Sequence, residues 1–147
     1  MKKIVLFLFA SLIVYATFFT EKDRLDREVK RLCATDGGIK VYETVKLPAE
    51  RFDQYGRIKI QTKEYMKSTD EYYVDYKSNY IIIGNPRLMR INVKIVRTKD
   101  GKVMGEFTQY TRGGGDMPGP WHGSSFSCPS SSLGLEALVF VREVNDD

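Results

Sequence analysis

The chain has 147 residues, 42% of them hydrophobic and 29% charged. That is one domain's length, with enough apolar content for a core and too much for a disordered tail. The formal net charge of +4 arises from 23 basic and 19 acidic residues. Without Lys2 and Lys3 the balance is 21 against 19, a net +2, which argues against a nucleic-acid partner.

Met1-Lys2-Lys3 is followed by an uncharged run from Ile4 to Phe19. Two lysines before an apolar stretch are the signature of a bacterial-type secretory signal. Positive charge stays in the cytoplasm, so the rest of the chain is expected outside it. As a helix the run spans about 24 Å at ~1.5 Å per residue, short of the ~30 Å hydrocarbon core. This favours a cleaved signal, with Val14-Tyr15-Ala16 before the cut and Thr17 after it. An uncleaved anchor with the same topology is the alternative. No cysteine lies near the site, which excludes lipoprotein processing. The expected organisation is a signal peptide or membrane anchor over residues 1–20 and a single exported domain over residues 21–147. The periplasm is the expected location, or the inner membrane if the signal stays.

Glu21 to Cys33 reads as a helix, with Leu25, Val29, Leu32 and Cys33 on one stripe and charged residues opposite. Asp36-Gly37-Gly38 supplies its stop. Ile39 to Leu47 alternates as a strand, except that Glu43 falls on the apolar face. Pro48 ends it and can open a short helical turn through Phe52. Arg57 to Ile60 is a weak strand candidate, and the polar stretch Gln61 to Glu71 reads as a loop. Tyr72 to Tyr76 and Tyr80 to Gly84 read as two strands around Lys77-Ser78-Asn79, the second burying Ile81-Ile82-Ile83. Asn85-Pro86 marks a turn.

Met89, Ile91, Val93 and Ile95 then alternate with Arg90, Asn92 and Lys94. Lys99-Asp100-Gly101-Lys102 is a hairpin turn, and the return strand runs from Val103 to about Thr111. A two-residue loop would set Glu106 and Thr108 beside Ile95 and Val93. A three-residue loop with Gly101 in a bulge sets Phe107 opposite Val93 and brings Val103 to the apolar face, so burial selects the bulged turn. Arg112 to Ser132 is rich in glycine and proline and reads as a long loop without strand or helix. Leu135 to Val141 reads as a final buried strand, with a helix as the alternative. One helix followed by mainly antiparallel strands makes an α+β domain, a helix packed on a curled sheet. That arrangement loosely resembles cystatin-like folds, a likeness that carries no function.

Cys33 and Cys128 are the only cysteines. An even number in an exported chain predicts one disulfide, worth at most about 4–5 kcal/mol for so long a closure. The long loop holds the only tryptophan, Trp121, beside the only histidine, His122, with Asp116, Ser124, Ser125 and Ser127 close in sequence. There is no G-x-S-x-G elbow, and crowding in sequence does not make a nucleophile–base pair. Gly113-Gly114-Gly115 precedes no predicted helix and no Gly-Lys-Ser/Thr, so it is no phosphate cradle. One histidine and two paired cysteines cannot supply a usual zinc set. No metal, cofactor or catalytic residue is therefore assigned. Glu43 would have a raised pKa if buried, which makes it the carboxylate to consider for acid–base chemistry; pairing with an arginine is the structural alternative.

The hairpin carries Arg87, Arg90, Lys94, Arg97, Lys99 and Lys102, and Arg90 and Lys94 share one strand face. A solvated, edge-protecting face is one reading, and a binding face for an acidic partner or anionic envelope lipid is the other. Four of the nine tyrosines fall between Tyr72 and Tyr80, a residue type common at interfaces.

The segment Leu32-Cys33-Ala34-Thr35-Asp36-Gly37-Gly38-Ile39-Lys40-Val41-Tyr42-Glu43-Thr44-Val45 resembles a stretch of small exported bacterial proteins of unknown function. The resemblance implies an envelope location and no activity. The expected function is accordingly a non-enzymatic envelope protein that binds a protein partner, in an inhibitory, immunity or accessory role. Trp121, His122, Arg90 and Lys94 are the expected contact residues, and the membrane is touched only through the N-terminal segment. The alternative is a small envelope hydrolase using Glu43 or the His122 loop.

Overall fold

The structure, a computed structural model, describes residues 2–116, 122–130 and 134–143, without the side chains of residues 17–19. Helix α1 runs unbroken from Lys2 to Asp36. Its first half is exposed, Phe7 at 75% for example, while Leu25 and Val29 in its second half are buried. The apolar run and the amphipathic stripe are thus two stretches of one helix. It ends where the glycine pair was expected to stop it.

The expected strand from Ile39 to Leu47 is two strands, β1 (Gly38–Val41) and β2 (Val45–Leu47). The break falls at Glu43, the residue out of pattern. Parting there lets its carboxylate leave the core and reach Arg97 and Lys102. The backbone N–H groups of Tyr42 and Glu43 both donate to the Met104 carbonyl as the chain turns away. A 3-10 turn over Ala49–Arg51 follows Pro48 as predicted. The weak strand at Arg57 to Ile60 reduces to a single bridge between Phe52 and Ile58, and within the next loop Gln61–Thr62 forms a two-residue strand β3.

Strand β4 (Tyr72–Ile82) is continuous, correcting the expected break at Lys77-Ser78-Asn79. Those three residues sit on a sheet edge, where polar side chains meet water without ending the strand. The Ile81-Ile82-Ile83 run is not buried: Ile81 is 48% and Ile83 85% exposed. Strands β5 (Arg87–Arg97) and β6 (Val103–Gly113) form the hairpin. Val93 faces Phe107, the register of the bulged turn, with Gly101 at φ +69°. A register shift after Ile95 puts Val103 opposite Val96. Met104, fully buried, occupies the core in place of Val103.

The glycine-rich stretch contains a strand after all. β7 (Ser125–Cys128) pairs with Tyr110–Gly113 of β6. The C-terminal segment is neither wholly strand nor wholly helix: α2 (Leu135–Val139) passes directly into β8 (Phe140–Arg142), which pairs in parallel with β2. Leu135 and Val139 share a face at i,i+4 spacing and bury together.

The main sheet has the order β1-β6-β5-β4-β3, with β7 beside the far part of β6; β3 joins in parallel and the other pairs are antiparallel. The sheet is open, and the domain is α+β. Its faces have different covers. The second half of α1 packs on one face against Leu88 and Tyr110, with Phe126 and Cys128 beside them. Met104, Phe107 and Ile95 on the other face meet α2, Phe140 and Leu47. Among the described residues, α2 and β8 cover only the half of that second face around Met104 and Phe107.

Candidate functional site

Arg112 is the largest fully buried side chain. Its Nε donates to Asp26 Oδ1 at 2.8 Å, its Nη2 to Asp26 Oδ2 at 3.3 Å, and its Nη1 to the Gly114 carbonyl, the Ser124 carbonyl and Ser124 Oγ. One guanidinium therefore joins α1 to both ends of the glycine-rich segment. Next to it, Asp116 accepts from Lys22 Nζ at 2.7 Å and from the N–H and Oγ of Ser124. The Lys22 ammonium, helped by Ser124, holds the Asp116 carboxyl well below its ordinary value. These donors bind the charged form of Asp116 and leave its oxygens engaged. By sequence Lys22 and Asp26 belong to the charged face of α1. They stand three residues before Leu25 and Val29 respectively, flanking the buried stripe, and that spacing is the signal by which both could have been found.

The Cys33–Cys128 disulfide is formed, with Cα atoms 5.8 Å apart across 95 residues of chain. It fastens the end of α1 to β7. Just beyond it, Arg90 is engaged: its Nε donates to Tyr110 Oη at 3.1 Å and its Nη2 to Asp36 Oδ2 at 3.0 Å. The Tyr110 hydroxyl in turn donates to Asp36 Oδ1 at 2.6 Å, and it is the first cause of the lowered Asp36 pKa, with Arg90 second. Lys94 lies on the same sheet face, 3.8 Å from Glu106, which also accepts from the Tyr42 hydroxyl. Buried Asn92 and Thr108 bond to each other between Arg90 and Lys94.

His122 is exposed, and Trp121 lies outside the described residues. The segment holding His122 leads into β7 at Ser125, which faces Gly113, whereas Lys94 faces Glu106. Seven residues of strand separate those two positions, about 23 Å. His122 and Lys94 thus stand at opposite ends of the hairpin.

Glu43 accepts from Lys102 Nζ and from Arg97 Nη1 at 3.0 Å and is half-buried. Lys102 first and Arg97 second lower its pKa, opposite to the expected rise on burial. A carboxylate held charged by two cations is poorly suited to donate a proton at neutral pH. Arg97 also binds Asp100 through Nε and Nη2, and this pulls Asp100 down to about 2. Two shallow clefts nearby share Thr69, Asp70, Glu71 and Tyr72 in their walls. Among the described residues, no group of three His, Cys, Asp or Glu side chains is placed to hold a metal ion.

The upper half of the second sheet face has a different chemistry. Tyr76, Ser78 and Tyr80 of β4 stand opposite Val93, Ile91 and Met89 of β5. Ile91 and Met89 stand in turn opposite Gln109 and Thr111 of β6. Tyr76 is 55% and Tyr80 58% exposed. Along the outer edge, β3 pairs only with Tyr73 and Val74. Among the described residues no strand covers β4 from Asp75 to Ile82. The surface is aromatic, and among the described residues no strand pairs with its outer edge. Tyrosines in the sequence signalled an interface, but their shared side followed only once β4 was known to be continuous.

The chain matches no protein-family model, no curated protein and no solved structure.

Proposed function

We propose that this chain is an exported envelope protein, held at the membrane by α1, that binds a protein partner rather than catalysing a reaction. The observation that carries this reading is the exposure of Tyr76 and Tyr80 beside an edge of β4 that no strand covers among the described residues. Tyrosine offers a large rigid ring and a polar tip, which suits a surface that alternates between water and a partner. An open edge offers the main-chain hydrogen bonds by which an extended segment adds to a sheet. The basic face first expected to make the contact is less suited to it, since Arg90 is held by Asp36 and Tyr110. His122, exposed beyond β7, remains a contact residue in this reading, as does Lys94 at the opposite end.

Two features support the location. The disulfide belongs to an oxidising compartment. Helix α1 runs unbroken through Val14-Tyr15-Ala16, and in this reading it stays attached as the anchor. It is the one helix among the described residues long and apolar enough to cross a membrane.

The test is purification of the full chain from envelopes in mild detergent. Replacing Tyr76 and Tyr80 together by alanine should lower partner recovery about tenfold, the loss expected from removing central aromatic contacts. Tyr65→Ala, at a loop residue 74% exposed, should leave recovery unchanged. Undiminished recovery with the double variant would refute the tyrosine face as the contact.

A further inference from the structure

The geometry points to a second membrane contact: the β4–β5 turn, with Ile81 and Ile83 at its tip, enters the interfacial layer of the bilayer in which α1 is anchored. This inference rests on the anchored reading given above.

The turn is tied to a specific level of the helix. Asn85 Oδ1 accepts from the Gly115 N–H at 2.7 Å, and the adjoining Asp116 accepts from Lys22 at 2.7 Å. Lys22 stands three residues past Phe19, the last residue of the uncharged apolar run, about 4.5 Å further along the axis. The headgroup layer extends roughly 5–7 Å beyond the hydrocarbon on each side. The turn therefore lies at headgroup depth when Phe19 marks the hydrocarbon boundary. The short apolar run adds to this. At about 24 Å against about 30 Å, it is accommodated by local thinning and by drawing its flanks toward the hydrocarbon.

The side chains suit that depth. Ile83 is 85% exposed and Ile81 48%, an unfavourable arrangement in water and a favourable one at an acyl boundary. Arg87, exposed at the start of β5 with its guanidinium lying along Gly113 of β6, has no ion pair among the described residues and can meet a lipid phosphate at that depth. The opposite end of the sheet, where Tyr72 and Arg97 pair, is the length of β4 away. Its 11 residues reach about 36 Å from the turn. Two contacts, one spanning and one interfacial, would fix the sheet upright and keep the tyrosine face lateral to the membrane.

The full chain, in vesicles of phosphatidylethanolamine and phosphatidylglycerol, provides the test. Both native cysteines are paired, so a single added cysteine can carry a nitroxide label. Leu8→Cys, Ile83→Cys and Tyr65→Cys variants are compared for access to oxygen and to a water-soluble nickel chelate, with the native disulfide verified by mass. Positions 8 and 83 should both favour oxygen several-fold over position 65. A water-like signal at 83 with a lipid-like one at 8 would overturn the second contact and leave the anchor standing. A water-like signal at 8 would remove the anchor and this inference with it. A lipid-like signal at 65 would also overturn it, since the domain would then not stand upright.

Discussion

Arg112 shows how one side chain decides the architecture around it. A buried guanidinium is stable only with its donors met, and here Asp26, Gly114 and Ser124 meet them. Arg112→Ala should destabilise the domain by about 3 kcal/mol, the low end for breaking a buried pair, because Asp26 is still 26% exposed. Arg112→Lys should recover only part of this, since an ammonium cannot match the two-oxygen contact. Urea unfolding of the disulfide-bonded protein reads both values, and a loss below about 1 kcal/mol for the alanine variant would contradict the role. The acidic residues make a second prediction. Asp36, Glu43, Asp100 and Asp116 all have folded values below their ordinary ones of 3.8 or 4.5. Their contribution is complete above those ordinary values and is lost as pH falls through the folded ones, of which Asp100's is about 2. The thermal midpoint should hold steady from about pH 7 to about pH 5 and fall steeply below 4. Asp116→Asn should make that fall shallower; an unchanged slope would remove Asp116 from the account.

At the scale of elements, Gly105 sets how closely α2 approaches the sheet. A Cβ there would stand 2.8 Å from Val139 Cγ2 and 3.2 Å from both Leu135 Cδ1 and the Lys40 carbonyl. Gly105→Ala should therefore cost about 1–3 kcal/mol by overpacking. Gly123→Ala, whose nearest contact is Asp116 Oδ2 at 3.8 Å, should stay within about 0.5 kcal/mol. Equal losses at the two sites would contradict the close packing of α2. The legible elements were those whose burial alternates cleanly. The stripe of Leu25 and Val29 and the pairing of Val93 with Phe107 could be read because one face of each had to be dry. Where an element is partly solvated on both sides, as β4 is around Lys77-Ser78-Asn79, polar residues imitate a turn. β7 was hidden for another reason: its Ser125, Phe126, Ser127 and Cys128 form a strand through pairing with β6, a tertiary partner that local composition cannot announce. The break at Glu43 was visible as an anomaly, but its cause, the cations on the facing hairpin, is 54 and 59 residues away. Of the site residues, the cysteine pair followed from number and compartment. The tyrosine face required knowing that α2 and β8 stop halfway across the sheet.

At the scale of the whole molecule, a long N-terminal helix, a covalent fastening and an exposed tyrosine face occur in one chain. α1 carries the apolar N-terminal run and, without interruption, the stripe that packs on one sheet face. Arg112 and the disulfide hold its two ends of contact, which fixes α1 to the sheet and, in the proposed reading, the domain to its anchor. Rigid presentation lowers the entropy lost when a partner docks. The proposed docking surface centres on the Tyr76–Tyr80 face. Site-specific photocrosslinking in intact cells tests it most directly, with the photoreactive residue placed at 80 and, for comparison, at 65. The account predicts a discrete crosslinked protein from position 80 that is absent from position 65. Crosslinking from 65 equal to that from 80, or none from 80, would contradict it.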